Sequence, residues 1–449
     1  MTKTQLRVAI VGGGPAGIYA ADILTKSDPD VSVDILERLP APFGLVRYGV
    51  APDHPRIKEI VKALHRVLAK PQVRLLGNVE YGVDIKLSTL RDFYDAVVVA
   101  TGAMADRDLG IPGEEHSYGA ADFVSWYDSH PDVPQTWPLD APSVAVIGVG
   151  NVALDVARVL AKTGEEMLVT DIPDHVHAGL LAKTTTDVHV FARRGPAYAK
   201  FSPLELRELN HSPNVEVIVH PEGFDVDEHG MAHIAQHKSQ KMVLDTLANW
   251  VGREPVGKPH RIHLHFAEAP TEILTDADGN VTTLRTERTH SPAADGTVVG
   301  TGQITDWGVQ AVYRAVGYRS TPLAGLPFDD RAAVIPNDEG RVLDLDGTPI
   351  PGTYVTGWIK RGPVGLIGHT KSDAAQTVAH LLAETSATAV RRDPAEVDAY
   401  FAERGVEVTT FEHWEALDEH EVALGAAQGR ARVKVAERAA MIAAGAMPR

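Results

Sequence analysis

The sequence predicts an α/β protein built from two Rossmann-like, three-layer domains, and three observations carry that prediction. LRVAIV (6–11), GGGPAG (12–17) and IYAADIL (18–24) read in turn as strand, glycine loop and helix. SVAVIGVGNVALDVARVLAK (143–162) repeats the same order, so one loop belongs to each domain. A chain of 449 residues, with 44% hydrophobic and 23% charged residues, is too long for one core and ordinary for a globular enzyme.

Further elements follow in chain order. VSVDILER (31–38) is the second strand, and YDAVVVATGA (94–103) is a buried strand ending in a glycine turn. HPDVPQTWPLDAP (130–142) is proline-rich and reads as a surface connection. LVTDIPDHVHAGLLAKTTTD (168–187) is an insertion that delays the next strand, Val188 to Phe191. Beyond it, alternating strands such as RIHLHFAEAP, a helix around Met242 to Val251 and a DADGN turn lead to another strand, VQAVYRAVGYRS. A strand, a glycine-rich loop and a helix follow in GTYVTGWIKRGPVGLIGHTKSDAAQTVAHLLAE. The tail from Asp393 is helical in pattern, with Trp414 as its large anchor.

The absence of cysteine removes disulfide scaffolds, cysteine-ligated metal or iron–sulfur sites and dithiol chemistry together. A net charge of −17 and a pI near 5.6 argue against a nucleic acid or an anionic membrane as partner of the whole surface. No secretory signal is visible, and no apolar run approaches the ~20 residues needed to span a bilayer, so the cytoplasm is expected. No metal site is expected.

Gly12, Gly14 and Gly17 form GxGxxG between strand and helix. The first glycine permits the tight turn, the second lets backbone approach a pyrophosphate, and the third lets the helix pack on the strand. Glu37 ends the next strand, about 20 residues on, where the fold places a carboxylate to accept hydrogen bonds from an adenosine ribose. A carboxylate there repels a 2′-phosphate, so this loop suits FAD or NAD. Pro15 and Ala16 complete a form resembling flavoprotein fingerprints.

The second loop reads GxGxxA through Gly148, Gly150 and Ala153, with Asn151 placed to hydrogen-bond phosphates or the loop itself. Its second strand ends not in an acid but in Arg193 and Arg194. Two permanently charged guanidinium forks suit a phosphate monoester, which makes NADP the expected ligand. Gly362, Gly365 and Gly368 share one later loop, where side-chain-free backbone would let a nicotinamide stack on a flavin.

GGGPAG, APFGLVRYGVAPDHP (41–55), ATGA, GVGNVALDVAR, ARRGP, ELREL (205–209) and GWIKRGPVGLIG (357–368), in this order, resemble the adrenodoxin reductase type of ferredoxin–NADP reductase. The likeness runs from Val8 to about Ala383, and FEHWEALDEHE in the tail is also similar. It implies a flavoprotein with two dinucleotide-binding domains, the second inserted in the first: residues 1–103 with 319–449 for FAD, and 104–318 for NADP(H). Hydride would pass from NADPH to FAD, and single electrons then to a ferredoxin. FAD would be held by Gly12, Gly14, Pro15, Ala16, Glu37, Leu45 and the backbone near Tyr81, with Trp358, Gly365, Leu366 and Ile367 near the flavin. NADPH would be held by Val149, Gly150, Asn151, Val152, Arg193, Arg194 and Glu205. His54 would lie near the flavin and Glu208, and tune its protonation or potential.

The ferredoxin partner, itself acidic, would dock on a local basic patch of Arg207, Lys238, Lys241 and Arg253. Three other functions share parts of this layout. A pyridine-nucleotide disulfide oxidoreductase needs a cysteine pair that the chain lacks. An FAD- and NADPH-dependent monooxygenase would pass electrons to oxygen, and a non-catalytic NADP-binding subunit would be colourless.

Overall fold

The computed structural model describes residues 5–27, 30–293, 295–365, 367–387 and 393–447, with backbone alone for Ile367 and Pro394. Leu366 lies outside the described residues. The chain forms two compact units: one runs through Ala105 and takes up Asp128–Asp132 and everything from Tyr318 onward, and the other comprises Asp106–Tyr127 and Val133–Gly317.

The first unit is built on a seven-stranded sheet in the order Asn337–Asp338, Arg341–Leu343, Pro349–Val355, Ala96–Val99, Arg7–Val11, Ser32–Glu37, Val73–Gly77. The last five strands are parallel and the first two add an antiparallel edge. Parallel strands are covered on both faces, which is why VAIV (8–11) and AVVV are apolar without alternation and buried throughout. One face packs Ile18, Leu24, Leu64, Val378, Leu381 and Trp414 from its helices; the other packs Leu90, Phe93, Val397 and Phe401. Trp414 sits edge-on to Phe43, with ring centroids 5.3 Å apart, so the tail anchor read from the sequence is in place.

The second unit holds six parallel strands in the order Tyr118–Gly119, Ala311–Arg314, Ser143–Ile147, Asp187–Phe191, His260–His265, Val215–Val219. The helix Asn151–Ala161 buries Leu154, Val156 and Leu160. An antiparallel sheet of Glu268–Thr275, Val281–His290 and Val299–Gly308 supplies another layer, with Ile273, Val281 and Leu284 packed on Ala145, Ile147 and Phe191. Arg7–Val11 in the first unit and Ser143–Ile147 in the second lie where the strand order reverses, the position at which such sheets open a ligand crevice. The expected fold class is therefore observed.

Some local expectations change. RIHLHFAEAP is two strands, because Ala267 takes a left-handed φ of 54° and turns the chain from the parallel sheet into the antiparallel one. The helix expected near Met242–Val251 is Lys238–Ala248, preceded by a further helix, Glu228–Gln236. The proline-rich 130–142 segment is the surface connection expected, without helix or strand and with most residues exposed or half-buried, and it is anchored at two points. Arg438 and Arg38 pair with Asp132 at 2.7 and 2.9 Å, and Trp137 packs among Phe123, Trp126 and Tyr313. Among the described residues, no helix is long and apolar enough to cross a membrane.

Candidate functional site

The two glycine loops are built to one plan. Gly12 has φ 114° and Gly148 φ 138°; a Cβ on Gly12 would stand 2.5 Å from the Ala100 carbonyl oxygen, and one on Gly148 2.2 Å from that of Ala315. The Gly12 amide donates to Leu36 at 2.8 Å and the Gly148 amide to Phe191 at 3.0 Å, so each loop is stitched to the end of the second strand. Only glycine fits either position. Gly17 plays its expected packing role, since a Cβ there would lie 2.1 Å from the Gly12 carbonyl oxygen.

In the first unit Glu37 ends its strand half-buried, accepting the Gly13 amide at 2.8 Å and the Leu39 amide at 3.1 Å. Burial pushes its pKa up, and those two donors oppose the shift. The carboxylate is thereby fixed at the mouth of the loop, beside the N-terminus of the 13-residue helix Pro15–Ser27, whose leading N–H groups lie on the loop side. The segment carrying Leu45 folds over the same loop: the Phe43 amide donates to the Gly13 carbonyl at 2.8 Å, and a Cβ on Gly44 would lie 3.1 Å from the Gly14 Cα. Leu45 opens the short helix Leu45–Tyr48. Tyr81 donates its hydroxyl to the Ala324 carbonyl at 2.8 Å, and burial raises its pKa to about 12.

The turn before Trp358 reaches the loop from the far end of the chain. A Cβ on Gly357 would stand 2.7 Å from the Ala16 Cβ. One residue that the sequence reading missed holds this turn: half-buried Asp373 accepts from the Gly357 amide at 2.6 Å and the Thr356 hydroxyl at 3.0 Å, and pairs with buried Lys360 at 3.0 Å. Its only signal in the sequence is an acid in the otherwise small and polar stretch KSDAAQT. Gly365, with φ 88°, precedes the 18-residue helix Ile367–Glu384, which contributes Ala374 and Val378 to the same core as Ile18 and Leu24 of helix Pro15–Ser27. A glycine loop, an adjacent helix N-terminus and a fixed carboxylate fit an adenine dinucleotide without a 2′-phosphate.

In the second unit Val149, Gly150, Asn151 and Val152 form the loop and first helical turn. The segment after the arginines braces it: the Val149 carbonyl accepts from Lys200 at 2.9 Å, and the Asn151 side chain accepts from the Ser202 amide at 2.8 Å. Nothing lies within 4 Å of where a Cβ on Gly150 would stand, so the backbone is open there. Glu205 is buried with Arg158, their charged atoms 3.8 Å apart.

Arg193 is exposed and Arg194 half-buried, and neither has a carboxylate within ion-pair distance among the described residues. In a chain of net charge −17 that is notable, because neighbouring Arg288 pairs with Glu268 at 2.6 Å. The backbone of the pair is held: Thr289 donates its hydroxyl to the Arg193 carbonyl at 2.7 Å, and the Ala267 amide donates to the Arg194 carbonyl at 3.0 Å. Two anchored guanidinium groups that make no ion pair among the described residues fit a phosphate monoester.

His54 and Glu208 fall in different units. His54 is buried; its amide donates to Ala51 at 3.0 Å and its carbonyl caps the helix Pro55–Lys58. Glu208 ends the helix Pro203–Glu208, half-buried. Arg207 is exposed and lines a cleft of about 260 Å³ with His211, Trp250 and Arg253, whose guanidinium lies 5.6 Å from the Trp250 ring centre. Lys238 is exposed outside that cleft, and Lys241 pairs with Asp245 at 2.7 Å.

A family model described as "Pyridine nucleotide-disulphide oxidoreductase" matches residues 6–258. The NADPH-ferredoxin reductase FprA of Mycobacterium tuberculosis is 39% identical over 456 residues, covering 98% of each chain. The chain belongs to the adrenodoxin reductase type of ferredoxin–NADP reductase. Another member of similar length, the mitochondrial NADPH:adrenodoxin oxidoreductase of Arabidopsis thaliana, is 36% identical over 99% of this chain and 96% of its own. A solved structure titled "Mycobacterium tuberculosis FprA in complex with NADPH" superposes with a TM-score of 0.91, covering 98% of this chain and 99% of its own at 39% identity. This reductase has no cysteine, so it shares the nucleotide-binding layout of the matched family model and not the dithiol in that model's description.

Proposed function

We propose that the chain is an FAD-dependent NADPH:ferredoxin oxidoreductase, taking hydride equivalents from NADPH and delivering single electrons to a ferredoxin. The observation that carries this reading is the opposite charge at two equivalent strand ends. Glu37 stands fixed beside the first loop, and Arg193 and Arg194 stand beside the second without an ion pair among the described residues. Bound FAD supplies the chemistry that side chains lack, the change from two-electron to one-electron transfer. Hydride transfer itself needs no general base; the chain's task is to bind both nucleotides, orient them and exclude water.

The division of labour is proposed as residues 1–103 with 319–449 for FAD and 104–318 for NADP. His54 and Glu208 are proposed to tune the flavin's protonation or potential, a role supported by the resemblance. Arg207 and Arg253, sharing one cleft, support docking of an acidic ferredoxin there, with Lys238 adding charge nearby and Lys241 partly offset by Asp245. A cytoplasmic location is proposed with it, on the cysteine-free composition. The test is to purify the protein, record its visible spectrum and titrate it anaerobically with NADPH and NADH in parallel. A yellow protein bleached by NADPH at far lower concentration than by NADH supports the reading, and a colourless one overturns it.

A further inference from the structure

We infer that Gly296, in the connection between the strands Val281–His290 and Val299–Gly308, is a specificity-determining residue for NADPH because it positions the Arg194 guanidinium. The inference rests on the reading of Arg194 as a 2′-phosphate ligand and adds a residue about a hundred positions away, outside every motif noted in the sequence.

Arg194 is packed against a surface that fixes how its fork faces outward. Its guanidinium carbon lies 6.0 Å from the ring centre of Tyr198, whose side chain is buried. Gly296 packs against both groups: a Cβ there would stand 3.2 Å from the Arg194 Cζ, 3.3 Å from its Nε and 3.3 Å from the Tyr198 Cδ1. Among the described residues the buried Nε makes no hydrogen bond, and neither do the terminal nitrogens, which keep contact with solvent. The open edge of the fork is therefore its terminal pair, the edge that meets a phosphate two-pronged.

Gly296 sits in a tight local turn. The Asp295 carboxylate accepts the Thr297 amide at 2.9 Å, and the Gly296 amide reaches the Ala293 carbonyl at 3.3 Å. At φ 76° Gly296 adopts a backbone that any side chain strains, and an added methyl would push on the guanidinium as well. The two effects can be separated. Gly302, on the strand that follows, has φ 80° and nothing within 4 Å of where its Cβ would be, so Gly302→Ala imposes the same backbone strain without touching Arg194.

Steady-state kinetics with an artificial electron acceptor would compare Gly296→Ala, Gly302→Ala, Arg194→Ala and the Arg194→Ala/Gly296→Ala pair, each with NADPH and NADH and each with a melting curve. We expect Gly296→Ala to raise KM for NADPH by about tenfold, the scale of one charge-assisted hydrogen bond. KM for NADH and kcat with NADPH should stay unchanged, Gly302→Ala should move neither constant, and Gly296→Ala should add nothing once Arg194 is gone. Equal effects on both coenzymes, or none from Gly296→Ala while Arg194→Ala weakens NADPH, overturn the inference and leave the parent reading standing. An Arg194→Ala variant with unaltered NADPH kinetics overturns the parent reading. Gly296→Asn, which tolerates the left-handed backbone better, makes the same test if the alanine variant fails to fold.

Discussion

Asp373 accepts the Gly357 amide at 2.6 Å, tying the helix Ile367–Glu384 to the turn that presses on Ala16 of the first glycine loop. The same carboxylate neutralises Lys360, whose ammonium is buried. Replacing Asp373 by Ala strands that charge and frees the turn. Breaking a buried pair from one side costs about 3–5 kcal/mol. We predict that Asp373→Ala purifies with a reduced FAD content and a lowered Tm, and that Asp373→Asn falls between it and the wild type. Absorbance of the bound flavin per protein and a melting curve check this together.

A second buried network secures the tail. Arg47 pairs with fully buried Glu421 at 2.5 Å, Arg432 reaches the other oxygen of Glu421 at 2.9 Å, and Lys434 pairs with fully buried Asp128 at 2.9 Å. Lys434→Met removes a buried cation and leaves Asp128 with Lys58 at 3.3 Å. Urea denaturation should show a loss of about 3 kcal/mol or more. A loss below about 0.5 kcal/mol, the usual effect of a surface change, would contradict the placement of Asp128.

How much of this was legible in the sequence follows from the range of each contact. Gly12, Glu37, Gly148 and Arg193 declared themselves because a strand, a turn and a helix start are local, and the next strand end falls at a set distance. Asp373 and Gly296 did not, because their partners Gly357 and Arg194 lie outside their own elements and nothing in the local pattern names them. The prolines of the 130–142 segment mark a surface connection correctly, but the ion pairs of Asp132 with the distant Arg38 and Arg438 leave no local signal. The antiparallel layer was blurred because one residue with positive φ, Ala267, divides what reads as a single alternating strand.

Histidines give the second unit a pH dependence of definite sign. His189 bonds to His265 at 3.0 Å; His220 bonds to His263 at 3.0 Å, and His263 to Asp187 at 3.0 Å. Burial, and then the neighbouring His263, hold His189 at a pKa of about 4, and burial drives His265 lower still. With folded pKa values below the ordinary 6.5, the neutral rings contribute stability that is fully present above about pH 6.5. That stability is lost as pH falls from there toward 4, because the unfolded chain takes up protons that the folded one still refuses. Asp187, held low first by its hydrogen bond from Arg261, loses its contribution in the same direction at still lower pH. Melting curves from pH 7.5 to 4.5 should fall more steeply for the wild type than for His265→Gln; parallel curves would contradict this.

Ferredoxin reduction should weaken as salt rises. Charges on an exposed patch steer encounter over a Debye length of about 10 Å at 0.1 M salt and about 3 Å at 1 M. We predict that kcat/KM for ferredoxin falls with ionic strength, and that Arg207→Glu/Arg253→Glu lowers it further at low salt while leaving dye reduction by NADPH unchanged. Rates insensitive to salt in both proteins would remove the docking assignment.

The central claim is that a carboxylate at one strand end and a guanidinium pair at the other sort the two nucleotides. The measurement that meets it most directly is the ratio of kcat/KM for NADPH to that for NADH in Arg193→Ala/Arg194→Ala, set beside the wild type. Losing two charge-assisted contacts should lower that ratio by about a hundredfold or more, chiefly through KM for NADPH. A ratio equal to that of the wild type would contradict the account.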